Sequence, residues 1–158
     1  SADLPRVLGL ATSDIAASWE ASAHSSCDAS CPDCLRSYDN RRLHPYLDWR
    51  LALDMVDLAS GRELDLRRWK ERGVVVARDL AEAFGFESTG LAGLPAIRPS
   101  NSERFVVLGH PLWSIRDSER ATAQSAALRE VAGECMLSDP FTADRSPDAI
   151  ARFLGHSG

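Results

Sequence analysis

The stretch Cys27–Trp49, CDASCPDCLRSYDNRRLHPYLDW, decides how the chain is read, because it gathers three of the four cysteines into a CxxxCxxC cluster and follows them with His44. Thiolate sulfur and imidazole nitrogen are the donors a tetrahedral zinc ion prefers, and short spacings bring two or three of them together from one tight turn. Pro32 stiffens that turn. A site made by Cys27, Cys31, Cys34 and His44 has all four positions filled by protein and none open for the water or substrate that a catalytic zinc needs. The expectation is a structural zinc ion. His24, just upstream, and Cys135, far downstream, stay open as alternative fourth ligands, with His44 favoured by proximity.

Plainer readings of the cysteines fit less well. Buried small hydrophobes, or a disulfide with a spare thiol, do not account for the crowding of three cysteines in a polar, Ser/Asp-rich segment. A thiol-exchange role for Cys31-Pro-Asp-Cys34 calls for a preceding strand and a helix opened by the motif, and no strand precedes it here.

At 158 residues the chain can support one ordinary domain or two small units, and its apolar fraction is that of a folded protein. A net charge of −5 argues against a freestanding nucleic-acid clamp, which carries a basic excess. Basic residues nonetheless cluster locally: Arg36, Arg41, Arg42 and Arg50 flank the cysteines, and Arg62, Arg67, Arg68, Lys70 and Arg72 follow. The bland alternative is a solvated helix face paired with Glu63, Asp65 and Glu71. No apolar run approaches the ~20 residues of a membrane span, and no signal-peptide pattern opens the chain. A reducing, cytoplasmic setting is expected, which suits thiolate ligands. The start at Ser1, without an initiator methionine, reads as a segment of something longer.

Two parts are expected, a helical zinc-binding unit over 1–61 and a small α/β unit over 62–158, giving an α+β fold with a short sheet. Leu4, Val7, Leu8, Ile15, Ala16 and Trp19 suggest one helix over 4–23, weakened at its middle by Gly9. Pro45 suits the first position of the next helix, with Asp48 near its positive end. Leu47, Leu51, Met55 and Leu58 recur at helical spacing, Trp49, Leu53 and Val56 widen that apolar face, and Gly61 stops it. A further helix starts at Leu66, with Trp69, Val76, Leu80 and Phe84 on one face and Gly85 as its stop. Val74–Val76 is too short to make a strand inside that pattern. Leu94–Ile97, Phe105–Leu108 and a weaker segment near Phe86 read as strands between turns. A helix over about 118–132, a segment around Cys135–Leu137 and a last helix started by Ser146-Pro147 complete the chain.

The block SCPDCLRSYDNRRLHPYLDWRLALDM, with its C-x-x-C-L-R-x-Y-x-N run and following H-x-x-x-D-W-R-L-A-L, resembles the MrfA-type zinc-binding domain. That domain sits at the C-terminal end of DEAD/DEAH-box helicases of superfamily two and occurs in helicase-associated proteins of bacterial anti-phage systems. The resemblance covers residues 26–58 and fades beyond Gly61. Members of the family typically bind zinc through four cysteines. Here Asn40 stands about where the fourth is expected, and His44 enters as ligand for that reason. The resemblance implies an accessory module that works with an ATP-driven nucleic-acid motor, in the same chain or a partner, in defence or repair.

The chain itself has no GxxxxGK[ST] loop for phosphates and no DExH or DExD tetrad for magnesium, so a motor must lie elsewhere. Arg36, Tyr38, Arg41 and Arg42 offer one stacking ring and several phosphate-binding cations beside the metal, a combination suited to a single strand. The order helix, three strands, helix, strand is that of the PD-(D/E)xK nuclease core, an analogy of fold alone. Its third strand reads Arg104-Phe-Val-Val-Leu-Gly-His110 and lacks the acid and the lysine such enzymes need, so an inactive nuclease fold is the reading there. His110-Pro-Leu-Trp113, just past a strand end, is the remaining candidate for a site. A third class is pure protein–protein docking, separable from nucleic-acid binding by its weaker salt dependence.

Overall fold

The computed structural model describes residues 13–21, 24, 27–113, 125, 129 and 133–155. The chain divides into two units, Ser1–Asp65 and Leu66–Gly158. The class is α+β, with the cysteine cluster in the first unit and a four-stranded mixed sheet in the second.

In the first unit residues 13–19 form helix α1, and most of the rest of the helix expected over 4–23 lies outside the described residues. After the cysteine loop comes a 3-10 turn, Arg41–Tyr46, then helix α2, Trp49–Ala59. Pro45, expected to open the helix, lies inside the 3-10 turn instead. The helix begins later because Asp48, in extended conformation, accepts the backbone N–H of Arg50 on its carboxylate at 2.9 Å. A side-chain acceptor at this position satisfies one of the helix's orphan donors, which proline cannot do. Trp49 and Leu53, expected at the margin of the apolar face, are its centre, while Met55 is exposed. Gly61 ends the helix as expected. With φ +73 it lets the N–H groups of Gly61 and Arg62 return to the carbonyls of Leu58 and Asp57 at 3.0 and 2.8 Å.

The second unit opens with helix α3, Arg67–Phe84, which includes Val74–Val76 and stops at Gly85 with φ +71. Strands β1 (Glu87–Leu91), β2 (Leu94–Arg98), β3 (Phe105–Leu108) and β4 (Cys135–Ser138) follow in sheet order β1-β2-β3-β4. The first three run antiparallel, and β4 pairs parallel with β3. Ala92 and Gly93, both with positive φ, make the tight turn between β1 and β2, the pattern of a type I′ hairpin. The helix expected over 118–132, on the crossover from β3 to β4, lies outside the described residues apart from Ser125 and Arg129, which are helical. Helix α4, Pro140–Arg145, was not anticipated. It is started by Asp139, whose carboxylate accepts the Thr142 N–H at 2.8 Å ahead of Pro140. Helix α5, Pro147–Leu154, is the expected last helix, although Ser146 makes no side-chain cap bond.

The core of this unit follows from strand alternation. Ile97, Val106 and Leu108 lie on one face of the sheet and join Val76, Ala77 and Leu80 of α3, Ala143 of α4 and Ile150 and Leu154 of α5. Each wholly buried Ile or Leu contributes about 1.5–3 kcal/mol. Gly73 lets α3 approach the sheet, since a Cβ there would stand 2.9 Å from Pro95 Cγ and 3.4 Å from Pro140 Cγ. No helix among the described residues is long and apolar enough to cross a membrane.

Candidate metal centre

Short-range hydrogen bonds shape the cysteine loop. The Cys34 and Arg36 N–H groups both return to the Cys31 carbonyl, at 3.2 and 2.9 Å, closing a tight turn around Pro32. The Cys31 N–H points at Cys34 Sγ, 3.1 Å away. Upstream, the Cys27 N–H donates to the His24 carbonyl at 2.9 Å, turning that histidine toward the same loop. The result is a group of four donors, His24, Cys27, Cys31 and Cys34, whose ligand atoms all lie within 4.8 Å of one another.

These separations suit zinc. Four ligands at Zn–S and Zn–N lengths of about 2.3 and 2.05 Å define a tetrahedron with S···S edges near 3.8 Å and S···N edges near 3.5 Å. Cys31 Sγ lies 3.7 Å from Cys34 Sγ and 3.4 Å from His24 Nε2. The histidine is also in the correct tautomer. Its Nδ1 faces the Trp19 carbonyl at 2.9 Å, so Nδ1 carries the hydrogen and the Nε2 lone pair is directed at the sulfurs. The ring stacks on Trp19, centroids 6.4 Å apart, and meets Trp49 edge-on at 5.7 Å, which fixes its plane.

The helix after the loop is tied to the same site. Trp49 donates its backbone N–H to the Ala29 carbonyl at 2.9 Å and its indole N–H to the Cys27 carbonyl at 3.2 Å. Arg50 reaches the Asp28 carbonyl at 2.6 Å while its guanidinium lies over the Trp49 ring. The D-W-R triplet thus caps α2, supports the histidine and pins the loop.

His44, the expected fourth ligand, is not in the group. Its Nε2 faces two oxygens, Ser37 O at 3.0 Å and Asn40 Oδ1 at 2.9 Å, and therefore carries hydrogen rather than a lone pair. Asn40, which stands where a fourth cysteine was expected, also accepts the Ser37 N–H at 2.8 Å and donates to the Leu35 carbonyl at 2.7 Å. The Asn40–His44 pair braces the 35–37 turn, and His24 fills the place assigned to His44. Cys135 belongs to β4 and is likewise outside the group. A reading of His-x-x-Cys-x-x-x-Cys-x-x-Cys over 24–34 would have found the set.

The sulfurs show what a shared cation would resolve. Burial pushes the Cys27 thiol up to about 12, with the neighbouring Cys31 and Cys34 adding to the rise. For Cys31 burial again acts upward, but the Asp33 backbone together with the His24, Cys27 and Cys34 side chains outweighs it and brings the thiol down to about 7. One sulfur is prepared as thiolate while its neighbour holds its proton, the divergence expected of like charges sharing a site. A divalent cation among them removes the conflict.

Of the four residues expected to meet nucleic acid, Tyr38 is 80% exposed and carries the Arg41 guanidinium 5.2 Å above its ring. Arg42 is also exposed. Arg36 instead spends its Nε on Ser30 Oγ at 3.0 Å, bracing the loop from beneath. No family model matches the chain, and no curated protein or solved structure is significantly similar to it.

Proposed function

We propose that this chain is a structural-zinc accessory module of an ATP-dependent, helicase-like protein, acting with motor domains of the same or a partner chain and touching a nucleic-acid strand through Tyr38, Arg41 and Arg42. One observation carries the reading. The residues that resemble the MrfA-type domain are those that build the cluster and its brace: Cys31 and Cys34 as donors, Asn40 and His44 under the turn, Asp48, Trp49 and Arg50 at the start of α2. The metal is structural in this reading, because four protein donors leave no open position. A reducing compartment such as the cytoplasm keeps those thiols available.

The module itself hydrolyses neither ATP nor nucleic acid in this reading. It lacks a phosphate loop, and β2 and β3, where a nuclease of this topology would carry its acids, read LPAIR and FVVL. Contact with the strand comes from a local patch on an acidic chain, so binding is modest and falls steeply with salt. Anisotropy titration of a labelled single-stranded oligonucleotide tests this. Replacing Arg41 and Arg42 together by Ala should weaken binding roughly tenfold with zinc content unchanged.

A second reading, a docking module of a multi-subunit defence or repair complex, is favoured by Leu43 and Tyr46, 55% and 67% exposed on the same 3-10 turn. Strand binding that is absent, or indifferent to the double change, would move the conclusion to that reading.

A further inference from the structure

A cavity of about 330 Å³ opens in the second unit, between the first turn of α3, the Ala92-Gly93 turn and the end of β3. It belongs to neither the cysteine cluster nor the Tyr38 patch. Its inner wall is aromatic and well fixed. His110, 4% exposed, meets the Trp69 ring edge-on at 5.9 Å, and Trp69 is itself only 3% exposed. The His110-Pro-Leu-Trp113 segment folds back on itself through two bonds, Leu112 N–H to His110 Nδ1 at 3.1 Å and Trp113 N–H to the His110 carbonyl at 3.0 Å. That turn brings Trp113 to the cavity with its ring centroid 6.2 Å from that of His110, and Pro95 of β2 lines the same space.

The rim has the opposite character. Arg67 and Lys70 line it, both exposed. The positive end of the α3 dipole lies at the same place, in a first turn without an acidic residue or a side-chain cap. Flat apolar walls select a planar ring, and Lys70 at the mouth together with the positive end of α3 selects an anionic group, most efficiently a phosphate monoester. The volume is at the lower end of the ~300–1,000 Å³ of small-molecule sites, room for one such unit and not two.

We infer that this cavity binds a single nucleotide unit, its base against Trp113 and His110 and its phosphate at Lys70 and the start of α3. The site goes beyond the accessory-module reading and needs neither the metal nor the motor. The same chemistry is offered by a free mononucleotide and by one nucleotide of a single strand.

The test is a titration of the full zinc-loaded chain with 5′-AMP, adenosine and an oligothymidylate, following tryptophan emission and equilibrium dialysis. Saturable binding of AMP or of the oligonucleotide is expected, with adenosine weaker than AMP by roughly tenfold or more where AMP binds. Lys70→Ala changes an exposed side chain and should weaken phosphate-bearing ligands roughly tenfold with circular dichroism and Tm unchanged. AMP bound more tightly assigns the site to free nucleotides; oligothymidylate bound more tightly, with the same Lys70 dependence, assigns it to a strand. The Arg41/Arg42 double variant should leave AMP binding as it is, which separates this site from the patch on the first unit. No saturable binding of either ligand at millimolar concentration, adenosine bound as well as AMP, or indifference to Lys70→Ala would each overturn the inference.

Discussion

The indole N–H of Trp49 donates to the carbonyl of Cys27 at 3.2 Å, joining two residues 22 positions apart and making the first sulfur ligand and the first residue of α2 one hydrogen-bonded piece. Loop and helix are therefore coupled in stability, and a metal held by the cluster would be coupled to both. Trp49→Phe removes the bond and keeps most of the ring, and should cost about 1 kcal/mol. Trp49→Ala also removes the edge that holds His24, and should cost about 3–5 kcal/mol together with weaker zinc retention. Thermal unfolding of the two variants, with chelator competition for the metal, separates the hydrogen bond from the packing.

The two histidines near the cluster should behave in opposite ways. His24→Ala removes a donor, so zinc should be lost to a chromogenic chelator at concentrations the parent protein withstands. His44→Ala should keep one zinc per chain and lose about 1 kcal/mol of stability, because Ser37 and Asn40 lose a shared donor. Elemental analysis of both proteins decides the matter, and retention by the first with loss by the second would restore His44 as ligand.

Zinc affinity should fall with pH. Binding requires thiolates, and the Cys27 thiol, raised to about 12, still holds its proton at neutrality, so at least that proton must be released when zinc binds. The apparent association constant should then drop about tenfold per pH unit from this group alone. Below about 7 the loss becomes steeper, as Cys31 also takes up a proton. Calorimetric zinc titrations in buffers of different ionisation enthalpy measure the protons released.

Gly73 should resist substitution although it sits inside a helix. Alanine normally favours helix, but its Cβ would meet Pro95 Cγ at 2.9 Å, so Gly73→Ala should destabilise the second unit by about 1–3 kcal/mol. Adding Pro95→Ala should recover part of that loss, a coupling read from a double-mutant cycle in denaturant.

The hairpin turn offers the reverse case. Ala92 holds a φ of 53 that costs an alanine about 1–2 kcal/mol, while asparagine tolerates it. Ala92→Asn should raise the denaturation midpoint, with a gain of about 0.5–1 kcal/mol and an unchanged m-value.

What the sequence determined by itself was whatever depends on neighbours along the chain. Three cysteines in eight positions announced a metal-type cluster, the apolar period of 66–84 announced α3, Gly61 and Gly85 announced its stop and that of the helix before it, and short apolar runs announced β2 and β3. The start of α2 and the existence of α4 were also local matters, written in the capping carboxylates of Asp48 and Asp139, but Pro45 and Ser146-Pro147 offered competing signals of the same kind. The tertiary structure decided between His24, three residues before Cys27, and His44, ten residues after Cys34. The choice turned on hydrogen bonds: the Asn40 side chain and the Ser37 carbonyl take the Nε2 hydrogen of His44, while the Trp19 carbonyl takes the Nδ1 hydrogen of His24 and turns its lone pair to the sulfurs. The cavity was beyond sequence reading for the same physical reason. Trp69, Pro95 and Trp113 come from a helix, a strand and a loop far apart in the chain, and only the packing of α3 on the hairpin sets them around one space.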